Sequence, residues 1–216
     1  MSIKQVQQML VDAGFSPGAV DGLWGSATRN ATPSPAPPVE SPAALIDRTV
    51  LTPAFEALPE RLDTPAARVI LLAICGQEAD FHHRWQVFDR TRPLAMGAAR
   101  GLWQFERGGG VRGVLTHPAS RTLAAEVCRR MAVAPTVDAV YSALHANDWL
   151  AACFARLLLL TNPHALPAVG DVEGAFQLYL REWRPGAWTN GNTAQRETLR
   201  RKWTGYYAQA RAALGL

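Results

Sequence analysis

The sequence predicts a mainly α-helical protein built from two unequal parts, and three features of the chain lead to this prediction. Serine or threonine stands directly before proline at 41–42, 52–53 and 64–65. Each pair predicts the start of a helix, with the serine or threonine as N-cap and the proline at the first helical position. Apolar residues recur at helical spacing over most of the chain, and few runs alternate as β-strands do. Five prolines within 32–42 interrupt this pattern and separate the two parts.

The composition indicates a folded protein with an anionic partner. The chain has 216 residues, of which 48% are hydrophobic and 19% charged, so one or two domains with a sizeable core are expected. The formal net charge of +4 suits either nucleic acid or the acidic bacterial envelope. The arginines are spread along the chain, without a basic cluster that alternates with base-stacking aromatics, so we do not expect binding to nucleic acid.

The first predicted part covers residues 1–31. A short amphipathic helix leads into a loop that contains several glycines, and a second helix begins near Ser26. Glycines adopt backbone conformations that other residues resist, so composition alone indicates a small helical hairpin with turn glycines. Residues 32–42 then form a stiff, extended, proline-rich linker.

The second predicted part, residues 43–216, is expected to be helical almost throughout. Further N-cap candidates are Thr136, Asp148 and Asp171. Residues 149–160 are apolar on nearly every face, as in a central buried helix, and are too few to span a bilayer, so we expect no membrane insertion. The glycine-rich stretch 97–114 is where a small β-element or an ordered loop is expected.

No metal or other cofactor is expected. The three cysteines, Cys75, Cys128 and Cys153, lie in apolar stretches without paired spacing, so they are predicted to be buried, reduced thiols. The five histidines show no spacing that is typical of a zinc site.

One carboxylate stands where a helix would carry a hydrophobic residue. In the stretch 69–81 (VILLAICGQEADF), Glu78 follows Leu71 by seven residues and therefore lies on the same face of the helix. A desolvated carboxyl group keeps its proton near neutral pH, and a protonated carboxyl can donate that proton to a glycosidic oxygen. The structural alternative is an ion pair between Glu78 and Arg84 or Arg100.

A later stretch contains residues that suit a carbohydrate ligand. In 101–104 (GLWQ), Gly101 lets the backbone approach a substrate closely, and Gln104 offers a donor and acceptors to sugar hydroxyls. The aromatic candidates for sugar contact, each with a place in the core as its alternative, are Phe81, Trp103 and Trp183.

The N-terminal segment resembles the repeat of peptidoglycan-binding domains. The matching pattern is VQxxL…GFxPGxVDGxxGxxT, and it extends over about 25 residues. The resemblance implies that Asp21, Gly22 and Trp24 contact the cell wall. The family continues into a third helix that ends in an aromatic–Gln pair, whereas here the prolines come first, so the domain is expected to be truncated.

The second part resembles the superfamily of goose-type lysozymes and lytic transglycosylases. In that family a helix that ends in Glu-Ser-x-Phe is followed by a loop reading G-x-x-G-L-M-Q, and this chain has EADF at 78–81 and GLWQ at 101–104. The late stretch 175–186 is similar to the family's Ala-Tyr-Asn-x-Gly segment, with leucine in place of asparagine. The resemblance implies a lysozyme-like fold. The roles that it implies are catalytic acid for Glu78, a hydroxyl facing the acid for Tyr179 and a sugar contact for Gln104.

Together the two resemblances predict an enzyme that cleaves the β-1,4 bond between MurNAc and GlcNAc in peptidoglycan glycan strands, as phage endolysins of Gram-negative hosts do. Met1 to Gln5 show no apolar signal segment, so we expect a protein that is made in the bacterial cytoplasm. We expect it to be a monomer. The resemblance implies that it reaches the wall after a holin-like protein opens the membrane. The alternatives are a non-catalytic wall-binding or phage structural protein, and an amidase or peptidase, for which zinc spacing and a nucleophile are missing.

The predicted product depends on a second carboxylate. Hydrolysis that uses a second carboxylate requires the two carboxyl groups to lie about 5–10 Å apart. The candidates are Asp80, Asp89, Glu106 and Glu182, and none lies in a recognisable motif. We therefore favour a scheme that uses Glu78 twice and leaves 1,6-anhydromuramic ends, as lytic transglycosylases do, over a hydrolytic muramidase.

Overall fold

The computed structural model describes residues 1–33, 40–87 and 96–216, which divide into two compact units. We call Met1–Glu40 the N-terminal unit and Ser41–Leu216 the C-terminal unit. Helices dominate the described residues, so the prediction of a mainly α-helical protein is confirmed. Most of the predicted proline-rich linker lies outside the described residues.

The N-terminal unit consists of two helices and a pair of very short strands. They are α1 (Ile3–Asp12), β1 (Phe15–Ser16), α2 (Ser26–Arg29) and β2 (Thr32–Pro33). A capping box starts α1: the Ser2 hydroxyl accepts from the Gln5 backbone, and the Gln5 side chain accepts from the Ser2 backbone. Because β2 pairs antiparallel with β1, the first two residues of the predicted linker belong to this strand pair.

The described residues of the C-terminal unit form a helical body with one small strand pair. Its helices are α3 (Pro42–Ile46), α4 (Thr52–Phe55), α5 (Pro65–Ala79), α6 (Arg112–Thr116), α7 (Arg121–Arg130), α8 (Val137–Ala143), α9 (Asp148–Thr161), α10 (Val172–Trp183), α11 (Gly186–Thr189) and α12 (Thr193–Ala213). π-Helical turns cover Asp47–Leu51 and Arg107–Val111, and a 3₁₀ turn covers Glu60–Leu62. The strands β3 (Trp85–Val87) and β4 (Met96–Arg100) pair antiparallel, with Trp85 opposite Arg100. A strand therefore lies at the start of the glycine-rich stretch, and helical turns follow it.

The capping residues fix where several helices begin. Ser41 caps α3 and Thr64 caps α5, since each hydroxyl accepts from a backbone N–H three residues later. Thr136 and Asp171 cap α8 and α10 in the same way. These four predictions are confirmed.

Two of the predicted caps are wrong. Thr52 has helical backbone angles, because α4 continues directly from the preceding π-helical turn and needs no N-cap there. Asp148 is the first residue of α9, and the residue before it, Asn147, accepts from the Leu150 backbone instead. The Asp148 carboxylate forms an ion pair with Arg84 at 2.6 Å.

The core of the C-terminal unit is centred on α5 and α9. Ten of the 15 residues of α5 and ten of the 14 residues of α9 are buried, in line with the buried helix predicted for 149–160, and α12 packs along α5. All three cysteines are buried and free, each in a different helix. Within the described ranges, no helix is long and apolar enough to cross a membrane.

Candidate active site

Glu78 lies one residue before the C-terminal end of α5, a helix that is apolar on almost all of its surface. Its side chain is half-buried, so it is surrounded by protein and still reaches the surface. Its hydrogen-bond partner is Tyr179 of α10, whose hydroxyl donates to Glu78 Oε1 at 2.6 Å. The structure therefore brings together two residues that are 101 positions apart in the chain.

The surroundings of Glu78 favour the protonated form of its carboxyl group. Burial raises the pKa of Glu78 from 4.5 to about 7, and the hydrogen bond from Tyr179 lowers this pKa by a smaller amount. The two arginines that were the structural alternative are engaged elsewhere. Arg84 holds Asp148 through two nitrogens, and Arg100 lies over the Tyr141 ring and donates to backbone carbonyls of β4.

Tyr179 is held in place by an aromatic partner from α12, Trp203. The Tyr179 ring is buried and stacks on Trp203 of α12, with ring centres 5.0 Å apart and planes 14° apart. Burial, with the Glu78 carboxylate beside it, raises the pKa of Tyr179 well above its ordinary value. The hydroxyl therefore stays protonated and acts as a donor. In the sequence, Trp203 lies at helical spacing with Leu199 and Tyr207, which indicates a buried face but does not indicate a stacking contact with Tyr179.

The turn 101–104 connects α5 with α10. Trp103 Nε1 donates to the carbonyl oxygen of Leu71 in α5, and Trp183 Nε1 donates to the carbonyl oxygen of Trp103, both at 2.9 Å. The three stretches that were singled out in the sequence therefore meet in one place.

Burial corrects two of the three predicted aromatic sugar contacts, and the third, Trp183, stays a prediction. Trp103 has no exposed surface, so its ring offers no face to a sugar and is a core residue. Phe81 is 7% exposed and packs edge-on against Tyr206, with ring centres 5.7 Å apart. Trp183 is half-buried and packs near Phe105, so at most part of its ring is open to a ligand.

Gly101 and Gln104 serve the turn itself, which corrects their predicted roles in part. Gly101 has a φ of +73°, and a Cβ at this position would lie 2.9 Å from the carbonyl oxygen of Leu144, so the close approach is to the protein's own backbone. Gln104 Nε2 donates to the carbonyl oxygens of Gly101 and His83, at 2.9 and 3.2 Å. The amide nitrogen is thus occupied, and the side-chain oxygen is the part of Gln104 that remains for a sugar hydroxyl.

The candidates for a second carboxylate are placed differently. Asp80 follows α5 and accepts from the hydroxyl of Tyr206 at 2.7 Å. Glu182 accepts from Asn162 and forms an ion pair with its neighbour Arg181. Glu106 stands at the start of a π-helical turn and is exposed. Asp89 lies outside the described residues.

The N-terminal unit uses two of its three predicted wall-binding residues internally. The buried side chain of Gln7 donates to Asp21 Oδ1 and accepts from the backbone of Gly22, at 3.0 and 2.8 Å. The hydrogen bond from Gln7 is the largest cause that lowers the pKa of Asp21. Trp24, in contrast, is 49% exposed. Asp21 and Gly22 therefore shape the turn, and Trp24 presents a ring to the outside.

No group of three or more potential metal ligands occurs among the residues that the structure describes. Comparison with family models, curated proteins and solved structures gives no match for this chain.

Proposed function

We propose that the C-terminal unit is a lysozyme-like enzyme that cleaves the β-1,4 bond between MurNAc and GlcNAc in peptidoglycan, as a lytic transglycosylase. The observation that carries this proposal is the half-buried Glu78 carboxyl, which has a pKa raised to about 7 and accepts a hydrogen bond from Tyr179. A carboxyl group in this condition holds a proton near neutral pH and can release it to a substrate.

In the first step Glu78 acts as a general acid. Because Oε1 accepts from the Tyr179 hydroxyl, the other carboxyl oxygen, Oε2, is the one that carries the proton to the glycosidic oxygen. The bond between that oxygen and C1 of MurNAc breaks, GlcNAc leaves as the alcohol, and positive charge develops at C1. Glu78 is then ionised, and the hydroxyl of Tyr179 stabilises the carboxylate.

In the second step the Glu78 carboxylate acts as a base. It takes the proton from the 6-hydroxyl of the same MurNAc residue while O6 bonds to C1, which closes the 1,6-anhydro ring and restores the protonated acid. The nucleophile belongs to the substrate, so the reaction needs neither a positioned water nor a second carboxylate. Neither step requires a cofactor.

The N-terminal unit supports attachment to the cell wall in this proposal. Trp24 and its neighbour Leu23 are exposed, and an exposed indole ring is a suitable face for a sugar or a peptide stem. The enzyme is made in the cytoplasm of the host bacterium and reaches the wall when a holin-like protein opens the membrane.

Digestion of purified peptidoglycan, followed by mass spectrometry of the fragments, tests the proposal. We expect fragments that are lighter than hydrolysed ones by one water. Glu78→Gln should reduce the rate on the order of 10²–10⁴-fold, because the amide keeps the shape and the acceptor for Tyr179 but has no proton to donate at this pH. A chelator should not change the wild-type rate.

The matched control is Glu197→Gln, which replaces an exposed glutamate on α12 and should keep the wild-type rate. Circular dichroism shows whether each variant is folded. A folded Glu78→Gln variant that cleaves at the wild-type rate contradicts the role of Glu78. Fragments with ordinary reducing ends would make the protein a muramidase, and Glu106 would be the next residue to replace.

A further inference from the structure

The chain takes a strained path directly after the candidate acid. Asp80 and Phe81, which follow α5, both have left-handed backbone angles, with φ values of 49° and 63°. Non-glycine residues adopt this region rarely, because it is sterically unfavourable for them, and the surrounding structure must offset that strain. The position of Glu78 at the end of α5 therefore depends on whatever holds this turn.

Tyr206 of α12 holds the turn at two points. Its hydroxyl donates to Asp80 Oδ1 at 2.7 Å, and its ring packs edge-on against Phe81. The ring lies directly on the backbone of α5, because a Cβ at Gly76 would be 2.5 Å from Tyr206 Cδ1. Burial and the nearby Asp80 raise the pKa of Tyr206 to about 12, so its hydroxyl remains a donor at neutral pH.

Helix α12 also supports Tyr179, the second residue of the Glu78–Tyr179 pair. Trp203 precedes Tyr206 by one helical turn, and its ring stacks on Tyr179, the hydrogen-bond partner of Glu78. In α12, Tyr206 thus contacts the turn that follows Glu78, and Trp203 contacts Tyr179.

We propose that Tyr206 is a positioning residue for Glu78, which acts through its hydrogen bond to Asp80, so that α12 fixes both members of the Glu78–Tyr179 pair. This inference rests on the proposed function for its catalytic consequence. Without the hydroxyl, the turn 80–81 relaxes, the end of α5 moves, and water reaches the carboxyl of Glu78 more easily. Small displacements of an acid from its reacting position lower kcat more than they change KM.

Tyr206→Phe removes the hydroxyl and keeps the ring, so the fold is retained. We expect kcat to fall on the order of three- to tenfold with little change in KM. The alkaline limb of the pH profile should move to lower pH, because a better-solvated Glu78 loses its proton sooner. Asp80→Ala should have at least the same effect. Asp80→Asn should lose much less activity, since asparagine keeps the acceptor oxygen and tolerates the left-handed region.

The matched control is Tyr207→Phe, the same substitution at the next position of the same helix. The Tyr207 hydroxyl accepts from the backbone of Gly170, which belongs neither to α5 nor to the turn 80–81, so its loss should leave kcat and the pH profile unchanged. If Tyr206→Phe behaves like Tyr207→Phe in both readouts, or if Asp80→Asn is as impaired as Asp80→Ala, the inference is overturned.

A titration of the Glu78 carboxyl followed by carbon NMR separates this inference from the proposed function. Tyr206→Phe should lower the measured pKa of Glu78, and Tyr207→Phe should not. An inactive wild-type protein would contradict the proposed function, whereas an unchanged titration in Tyr206→Phe would contradict the positioning role, whatever the activity.

Discussion

Glu78 is a carboxyl group that the fold keeps half-buried beside a neutral hydroxyl, with no cation among its described neighbours. A structural carboxylate in this position would be expected to pair with an arginine or a lysine, because an unpaired charge is costly to bury. The arrangement favours the acid form over the ion, which suits a proton donor and disfavours a structural ion pair.

The same burial makes stability depend on pH. The unfolded chain releases the Glu78 proton near pH 4.5, whereas the folded protein releases it near pH 7. Between these values the folded state holds more protons, so the contribution of this group to stability is fully present below about pH 4.5, falls as pH rises, and is lost above about pH 7. Removing the ionisable group should therefore stabilise the protein at alkaline pH.

We predict that Glu78→Gln raises the free energy of unfolding by about 1–3 kcal/mol at pH 8 and changes it little at pH 4. Urea denaturation at both pH values measures this difference. The exposed Glu197→Gln should give no comparable dependence on pH. An equal effect of Glu78→Gln at both pH values would show that its burial does not shift the titration.

At the scale of single elements, the turn 101–104 shows how a sequence motif can be structural. Gly101 has positive φ and lies against the carbonyl oxygen of Leu144, and Trp103 and Gln104 donate to backbone carbonyls. The motif suggested sugar contacts for these residues. In the structure they largely attach the turn to α5 and to the residues that follow α5.

We predict that Gly101→Ala destabilises the C-terminal unit by about 2–4 kcal/mol, because the methyl group meets a backbone oxygen and alanine disfavours positive φ. Gly113→Ala is the matched control. Gly113 lies in α6 with open space around the added methyl, so this change should be neutral or stabilise by about 0.5–1 kcal/mol. Denaturant midpoints at unchanged slope distinguish the two. A Gly101→Ala variant as stable as Gly113→Ala would contradict the close approach to Leu144.

At the scale of the whole molecule, the two proposed functions, attachment to the cell wall and cleavage of glycan strands, belong to different units. The N-terminal unit is small, and the buried side chain of Gln7 holds the turn that precedes Trp24, while Trp24 and Leu23 stay exposed. The C-terminal unit contains Glu78 and the aromatic residues around it. Attachment and cleavage should therefore respond to different substitutions.

We predict that Trp24→Ala weakens binding to purified cell walls by about three- to tenfold, because it removes the exposed ring. Turnover of soluble glycan fragments should not change. Met9→Ala is the control, since Met9 is also apolar and exposed but lies on α1. A sedimentation assay with insoluble walls measures the binding. Equal binding by the wild type and Trp24→Ala would exclude this ring as the contact.

The sequence by itself determined the helical class, four of the helix starts and the burial of α5 and α9, because capping residues and apolar spacing act within a few residues. It also singled out Glu78, since a carboxylate on an apolar face is unusual in any helix, whereas Tyr179 was indicated only by the resemblance of 175–186 to a family segment. Their hydrogen bond, the stack of Trp203 and the contact of Tyr206 with Asp80 join residues that are far apart in the chain. Only the tertiary structure decided these contacts, because the packing of one helix against another leaves no local pattern in the chain. For the same reason, only the structure showed that Trp103 is a core residue and offers no face to a sugar.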